Sequence, residues 1–274
     1  MKIAGIKLSR KPKSYFAGVL LVVCILVITG FSQRVESRGD INEALVSDVV
    51  DGDTIMLVGG RRLRYIGINT PEIMKRFGAR WQYAPEPFAQ KAKDYNRALI
   101  GERKIRLEYD KDKEDAYGRL LAYAYNYNGE MINSKMISEG YASVYTFPPN
   151  VKYYDLFLKA QEEAIANRRG IWSGLEVISA GEALGHIGEY RIVRGLVTDV
   201  LVLPQGIFFY FGPEKSGLFR AVIFIRNLSL FKEKGIDPES EYLDKHVELT
   251  GRIESAKGAQ MILDNPSQIK VIEQ

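Results

Sequence analysis

The sequence predicts a mainly β chain with helices, organised as small barrels rather than as a parallel sheet wound by helices. Three observations carry this. Short runs of alternating apolar and polar residues recur between turn signals along residues 46–127. Segments at helical spacing are few and lie among or just after these strands, at 86–99, 131–139 and 153–167. A second series of strand-like runs fills residues 190–272, and no glycine-rich phosphate loop follows any strand, which argues against nucleotide-cofactor folds.

In the first region, residues 46–58 alternate as a strand interrupted by the turn sequence Asp51-Gly52-Asp53-Thr54. Residues 61–68 form a second strand, with Leu63 and Tyr65 on one side and Arg62, Arg64, Ile66 and Ile68 on the other. Segment 86–99 spaces Phe88, Ala89, Ala92, Tyr95, Ala98 and Leu99 as one face of an amphipathic helix. Residues 104–109 and 119–127 alternate again. Two helices, 131–139 and 153–167, close the region before Gly170-Ile171-Trp172.

Composition narrows the chemistry. At 274 residues and 46% apolar, the chain can bury a core and is not disordered throughout. One cysteine, Cys24, excludes an intramolecular disulfide and any multi-cysteine metal site. Two histidines, His186 and His246, leave little room for zinc or for histidine-centred hydrolysis. The net charge of +4 resides at the start: residues 1–44 carry seven Lys/Arg against three Asp/Glu. Residues 45–186 carry 20 against 19 and residues 187–274 carry 11 against 12, so bulk charge does not argue for nucleic acid. Local arginines can still do so, because a phosphate responds to nearby donors.

The basic start (Lys2, Lys7, Arg10, Lys11, Lys13) precedes an apolar run at 15–31 with no polar face. This reads as an export signal, either cleaved or retained as a membrane anchor, and it is just long enough to span a bilayer. Retention leaves the basic end in the cytoplasm and the domains outside. The expected organisation is a signal peptide or membrane anchor at 1–32, a tether at 33–44, a first domain at 45–173, a linker or short helix at 174–186 and a second domain at 187–274. The expected location is secreted or membrane-anchored.

Asp51 and Asp53 sit in one turn and Glu72 in another, Asn69-Thr70-Pro71-Glu72, stiffened by its proline. Such turns offer carboxylate and carbonyl oxygens that suit a hard cation such as calcium. Arg64 lies at a strand edge, and Arg119 follows Tyr117-Gly118. Two arginine forks beside a carboxylate-bound cation meet the needs of phosphodiester hydrolysis, where charge grows on the phosphoryl oxygens. Arginine–carboxylate pairs in surface turns are also common structural features, so residue types alone leave both readings open.

The motifs Asp51-Gly52-Asp53-Thr54, Arg62-Leu63-Arg64-Tyr65-Ile66-Gly67-Ile68-Asn69-Thr70-Pro71-Glu72, Asp115-Ala116-Tyr117-Gly118-Arg119, Glu139-Gly140-Tyr141-Ala142 and Gly170-Ile171-Trp172 occur in an order and spacing that resemble the thermonuclease, or staphylococcal-nuclease-like, family. The resemblance covers residues 46–172. It implies a five-stranded OB-like barrel with three helices, and calcium-dependent cleavage of DNA and RNA at the 5′-oxygen, leaving 3′-phosphates. It further implies that Arg64 and Arg119 clamp the phosphate and that Glu72 is the general base. By the same resemblance Asp53 and the Thr70 carbonyl are calcium ligands, and Tyr117 lies near the bound nucleotide. At Asn69 the chain departs from the family, which has an aspartate there. An amide oxygen still coordinates calcium, with one negative charge fewer, so weaker cation binding is expected.

In the second region, strands are expected at 190–202, 207–211, 219–225, 246–253 and 260–272, with a helical turn among Leu230, Phe231 and Tyr242. Five strands with an insertion after the third follow the order of an OB barrel. Gly195-Leu196-Val197-Thr198-Asp199-Val200 and Val247-Glu248-Leu249-Thr250-Gly251-Arg252-Ile253 are similar to pieces of OB-fold nucleic-acid-binding domains. Phe208, Phe209, Tyr210 and Phe211 either fill that barrel or expose a pair beside Arg220 and Arg226 that stacks on bases of a single strand.

The expected architecture is therefore mainly β with α: two OB-type five-stranded barrels, the first carrying three helices, behind one N-terminal hydrophobic helix. The expected partners are DNA or RNA with single-stranded regions, and a membrane through the N-terminal helix; no obligate protein partner is implied. The alternative is a non-catalytic nucleic-acid-binding or envelope scaffold protein, which has no physical reason to keep Arg64, Glu72 and Arg119 together.

Overall fold

The computed structural model describes residues 43–212 and 219–273. The hydrophobic helix expected near the start and most of the tether lie outside the described residues. Among the described residues, no helix is long and apolar enough to cross a membrane.

Five strands form a closed barrel: β1 (Glu43–Val49), β2 (Thr54–Leu57), β3 (Arg62–Tyr65), and, after three further short strands, β7 (Lys104–Glu108) and β8 (Leu120–Tyr125). The ring runs β1-β2-β3-β8-β7 and closes through β7 on β1, with β3 and β8 parallel and the other pairs antiparallel. Glu43 and Ala44, expected in the tether, already belong to β1. Val46 and Val49 are both buried although they are three residues apart, and β1 accommodates this with a register shift between Val46 and Asp48. Ile55, Leu63, Tyr65, Ile105, Leu107 and Leu120 fill the interior, while Tyr123 on the outer face of β8 meets Tyr153 and Phe157.

Three helices pack on this barrel: α1 (Ala89–Ile100), α2 (Ile132–Ser138) and α3 (Tyr154–Ala166). Helix α1 starts three residues later than its spacing predicts, because Pro87 and the left-handed Phe88 (φ 68°) break the approach. It buries Ala89, Ala92, Asn96 and Ile100 along one stripe. Each helix is fixed to the sheet framework by a buried amide. The Tyr65 hydroxyl donates to Asn96 Oδ1, and Asn96 Nδ2 donates to the Asp51 carbonyl. Asn133 takes the Ala124 N–H and donates to the Ile66 carbonyl, while Gln161 takes the Val144 N–H. Buried amides left unpaired are costly, so these bonds specify one docking geometry.

Gly140 and Gly170 explain two of the sequence motifs. Ile171 N–H donates to the Gly140 carbonyl, and a Cβ on Gly170 would lie 2.0 Å from that oxygen. The backbones meet there because neither residue has a side chain. The contact seats Trp172, 2% exposed, whose ring meets Tyr190 edge-on at 5.0 Å.

The remaining short strands of the first region are β4 (Ile68–Asn69), the hairpin strands β5 (Met74–Phe77) and β6 (Arg80–Tyr83), and β9 (Ser143–Val144), which pairs with β4. Residues 174–186 are more ordered than a linker: β10 (Val177–Ser179) runs parallel to the next strand, and a 3-10 helix at Ala180–His186 is closed by a Ser179–Glu182 capping box. Beyond them come β11 (Tyr190–Leu203), β12 (Gly206–Phe211), β13 (Phe219–Phe224), the short helices α4 (Leu228–Glu233) and α5 (Pro238–Glu241), then β14 (His246–Ser255), β15 (Ala259–Ile262) and β16 (Ile269–Val271). The run expected as one strand at 260–272 is thus split by a 3-10 turn at Pro266–Gln268.

The seven strands from β10 to β16 make one sheet, ordered β10-β11-β12-β13-β15-β14-β16, with β14 also paired to β11. The succession β11-β12-β13-β15-β14-β11 repeats the pairings of the first barrel, including the parallel contact of its third and fifth strands. Between the barrel and this sheet lies a cleft of about 70 Å³, lined in part by Asn69, Tyr145, Trp172, Arg252, Glu254 and Asp264.

Candidate active site

Two turns that touch build the site. In the first, Asp51 Oδ1 accepts the backbone N–H groups of Asp53 (3.0 Å) and Thr54 (2.7 Å), which shapes the entry to β2. A Cβ on Gly52 would come within 2.7 Å of the Thr70 side chain. Glycine there lets the second turn, Asn69-Thr70-Pro71-Glu72, sit directly on the first. Asp53, 4% exposed, receives the contact: Oδ2 accepts Thr70 N–H at 2.9 Å and Thr70 Oγ1 at 3.0 Å.

Arg64 lies across the same oxygen. Its Nη2 is 3.1 Å from Asp53 Oδ2 and donates to Asn69 Oδ1 at 3.0 Å, while Nη1 donates to the carbonyls of Tyr65 (3.0 Å) and Ile68 (2.8 Å). Both terminal nitrogens are thereby engaged by four protein oxygens, which fixes the guanidinium beside Asp53.

Glu72 follows at the surface. Its backbone N–H donates to Glu86 Oε2 at 3.1 Å, and its carbonyl accepts the Glu86 N–H at 2.9 Å. Surrounding protein raises the proton affinity of its carboxyl first, and the charge of Asp53 adds to this. Arg64 opposes the rise, Glu86 adds to it, and Arg119 opposes it more weakly. Glu72 thus feels Asp53 and both arginines at once. Asp51, in the first turn, is pushed up to about 7 by burial and by Asp53.

Arg119 enters from the turn before β8. Asp115 Oδ1 accepts the N–H groups of Tyr117 (2.9 Å) and Arg119 (3.0 Å), and Oδ2 accepts Arg119 Nε at 2.7 Å. Burial raises the Asp115 carboxyl, but these bonds outweigh it and hold its proton affinity below the usual carboxylate value. The guanidinium sits 5.6 Å from the centre of the Tyr117 ring, and Tyr117 is 86% exposed.

Asp53, Arg64, Asn69 and Thr70 are therefore in direct contact; Glu72 and Arg119 join them through charge, and Tyr117 flanks Arg119. Sequence reasoning quoted Asp115 in a motif without giving it a role, and gave none to Glu86. Asp115 could have been found as an aspartate two residues before Tyr117, a spacing that favours a side-chain-capped turn. The only signal for Glu86 is a carboxylate set between Pro85 and Pro87.

Among the described residues, no group of three or more His, Cys, Asp or Glu side chains is placed to hold a metal ion. Asp53 Oδ2 and Asn69 Oδ1 come from two touching turns and both face Arg64 Nη2, while Thr70 meets Asp53 through its N–H and hydroxyl. Carboxylate and amide oxygens are of the kind a hard cation takes, and a cation at these two would have to take the place of Arg64 Nη2.

The aromatic strand of the second sheet sends Phe209 and Phe211 into the core and Phe208 and Tyr210 to its other face. Phe208, Phe209 and Phe211 are 6%, 0% and 8% exposed. Arg220 lies over Phe208 and donates to Gln260, which leaves it engaged within the sheet.

Comparison with known proteins agrees with this geometry. Residues 62–174 match the family model described as staphylococcal nuclease homologue. The chain is 33% identical over 174 residues to the thermonuclease of Staphylococcus hyicus, covering 59% of this chain and 99% of that protein. It is 37% identical over 129 residues to endonuclease YncB of Bacillus subtilis, covering 45% of this chain and 58% of that protein. Endonuclease YokF, derived from the SPbeta prophage of Bacillus subtilis, is 39% identical over 129 residues, covering 45% of this chain and 42% of that protein. Matched along almost the whole of a thermonuclease, and with two touching turns that set Arg64 against Asp53, the chain belongs to the staphylococcal nuclease family of phosphodiester-hydrolysing enzymes.

Proposed function

We propose that the protein is a calcium-dependent nuclease that hydrolyses DNA and RNA phosphodiester bonds at the 5′-oxygen, leaves 3′-phosphates, and acts outside the cytoplasm. One observation carries the reading: Arg64, Glu72 and Arg119 share one electrostatic neighbourhood around buried Asp53. Arg119, whose Nε is held by Asp115, presents its terminal nitrogens to a phosphoryl oxygen, and Arg64 Nη2 would exchange its contacts with Asp53 and Asn69 for a second. Glu72 takes the proton of the attacking water, and its raised proton affinity makes it a better base. Asp53, Asn69 and the Thr70 carbonyl would hold calcium, which when bound supplies positive charge beside the same phosphate. The basic residues before the apolar run at 15–31, read as an export signal, support an extracytoplasmic location, either released or anchored.

The second sheet, with its repeated pairing order, is read as an OB-type barrel that abuts the active domain. The test is cleavage of single- and double-stranded oligonucleotides by the full chain, with calcium and with a chelator. Calcium-dependent release of 3′-phosphate ends is expected. Activity undiminished by chelation would remove the metal assignment, and binding without cleavage under any divalent cation would establish the non-catalytic alternative.

A further inference from the structure

The chain leaves Glu72 as a projecting hairpin. Glu72 and Glu86 exchange hydrogen bonds, Ala84 N–H donates to the Ile73 carbonyl at 3.1 Å, and β5 and β6 continue the pairing outward. The register sets Met74 opposite Tyr83, Lys75 opposite Gln82, Arg76 opposite Trp81 and Phe77 opposite Arg80. This arm is rooted on the candidate base itself.

Its surface is unusual in two ways. Phe77, Trp81 and Tyr83 are 54%, 65% and 68% exposed, although large rings are normally the residues a fold hides. Lys75, Arg76 and Arg80 lie among them, and residues 73–83 contain no Asp or Glu. Rings interleaved with cations suit a ligand that offers flat π-faces and phosphates together.

Strand alternation then sorts the side chains. Trp81 and Tyr83 point to one face, with Arg76 and Met74 across from them; Phe77 and Arg80 share the other. Two residues along a strand span about 7 Å. That is about twice the 3.4 Å spacing of stacked bases, which leaves room for one base between the two rings. A base held in a duplex cannot enter such a slot. An unpaired base can.

We propose that the β5–β6 hairpin is a base-stacking arm, on which Trp81 and Tyr83 take an unpaired nucleotide beside the scissile phosphate while Arg76, on the same face, holds its backbone. This rests on the nuclease reading and deepens it, making single-stranded nucleic acid the preferred substrate. Continuity with Glu72 and the charge match of a purely cationic arm to a polyanion are what select this occupant.

The test uses the full chain in chelator, titrated with oligo-dT while tryptophan emission is followed. The chain has two tryptophans, of which Trp172 is 2% exposed, so saturable quenching reports Trp81. Trp81→Phe should abolish the quenching. Trp81→Ala should weaken single-strand affinity about tenfold and change duplex affinity less than about twofold. Arg76→Ala should lower the salt dependence of binding by about one released ion. Both side chains are exposed, and circular dichroism checks that each of the three variants is folded. No quenching in the parent chain, or an equal loss of single-strand and duplex affinity in Trp81→Ala, overturns the proposal. Quenching without cleavage under any cation leaves the arm standing and removes the nuclease reading; cleavage with unaltered Trp81 emission does the reverse.

Discussion

Arg252 of β14 forms an ion pair with Glu86, and the other oxygen of Glu86 accepts the backbone N–H of Glu72. The second sheet therefore reaches the candidate base through a single buried carboxylate. Lys75 adds a further contact, with its Nζ 3.3 Å from Glu86 Oε1. Removing Arg252 leaves Glu86 partly paired, so the fold survives while the placement of Glu72 loosens. Arg252→Gln should lower kcat about tenfold, the scale of about 1.4 kcal/mol in barrier, with little change in KM. Arg252→Lys should restore part of the loss. Steady-state kinetics on one oligonucleotide decide it; an unchanged kcat in Arg252→Gln would show that the contact only joins the two sheets.

Substitution at the centre separates base from clamp. Glu72→Gln keeps shape and removes basicity, so kcat should fall by about 10²–10³ with KM nearly constant. Arg64→Lys keeps charge and loses the fork. Because Arg64 Nη1 and Nη2 make four contacts, a lysine cannot replace them, and a drop of about 10²–10³ in kcat is expected. Near-normal turnover in Arg64→Lys would reduce its contribution to diffuse charge.

Much of this site was legible in the sequence because its chemistry is local. Asp53, Arg64, Asn69, Thr70 and Glu72 lie within 20 residues, on turns whose glycine and proline announce themselves. Barrel strands such as 62–65 followed from alternation, since Leu63 and Tyr65 point inward and Arg62 and Arg64 do not. What was not legible depends on distance along the chain. Glu86 gains its meaning from Arg252, 166 residues away, and no local pattern encodes that pair. The exposed rings of β5 and β6 were missed for another reason. Their alternation has no buried face, so it lacks the apolar–polar contrast by which a strand is recognised. The aromatic strand at 207–211 left two readings open, and the core takes Phe209 and Phe211.

Asn69 stands in the proposed cation site. Its Oδ1 accepts Arg64 Nη2, the nitrogen that also faces Asp53 Oδ2. Asn69→Asp adds a second carboxylate at that point without changing side-chain size. The calcium concentration giving half-maximal cleavage should fall about tenfold, the order expected for one more charged ligand among Asp53 and the Thr70 carbonyl. A calcium titration of both proteins measures it. An unchanged midpoint would remove Asn69 from the ligand set.

Asp264, in the cleft between the barrel and the second sheet, links stability to pH. Burial is the main cause that pushes its carboxyl up to about 7; Arg226 and a hydrogen bond from Asn227 oppose the rise, and Glu254 adds to it. In the unfolded chain the group titrates near 3.8. Between these values the folded protein binds a proton that the unfolded chain has released, so this group's contribution to stability is full below pH ~4 and declines as pH rises through about 7. The slope approaches about 1.4 kcal/mol per pH unit at most. Asp264→Asn keeps the oxygen that accepts from Asn227 Nδ2 and removes the titration. Glu254 is also raised by burial and remains in both proteins, so the informative quantity is the difference between them. Denaturant unfolding at pH 5 and pH 8 should show the variant gaining on the parent chain as pH rises. A difference independent of pH would mean that Asp264 is ionised throughout, with Arg226 as an effective counter-ion.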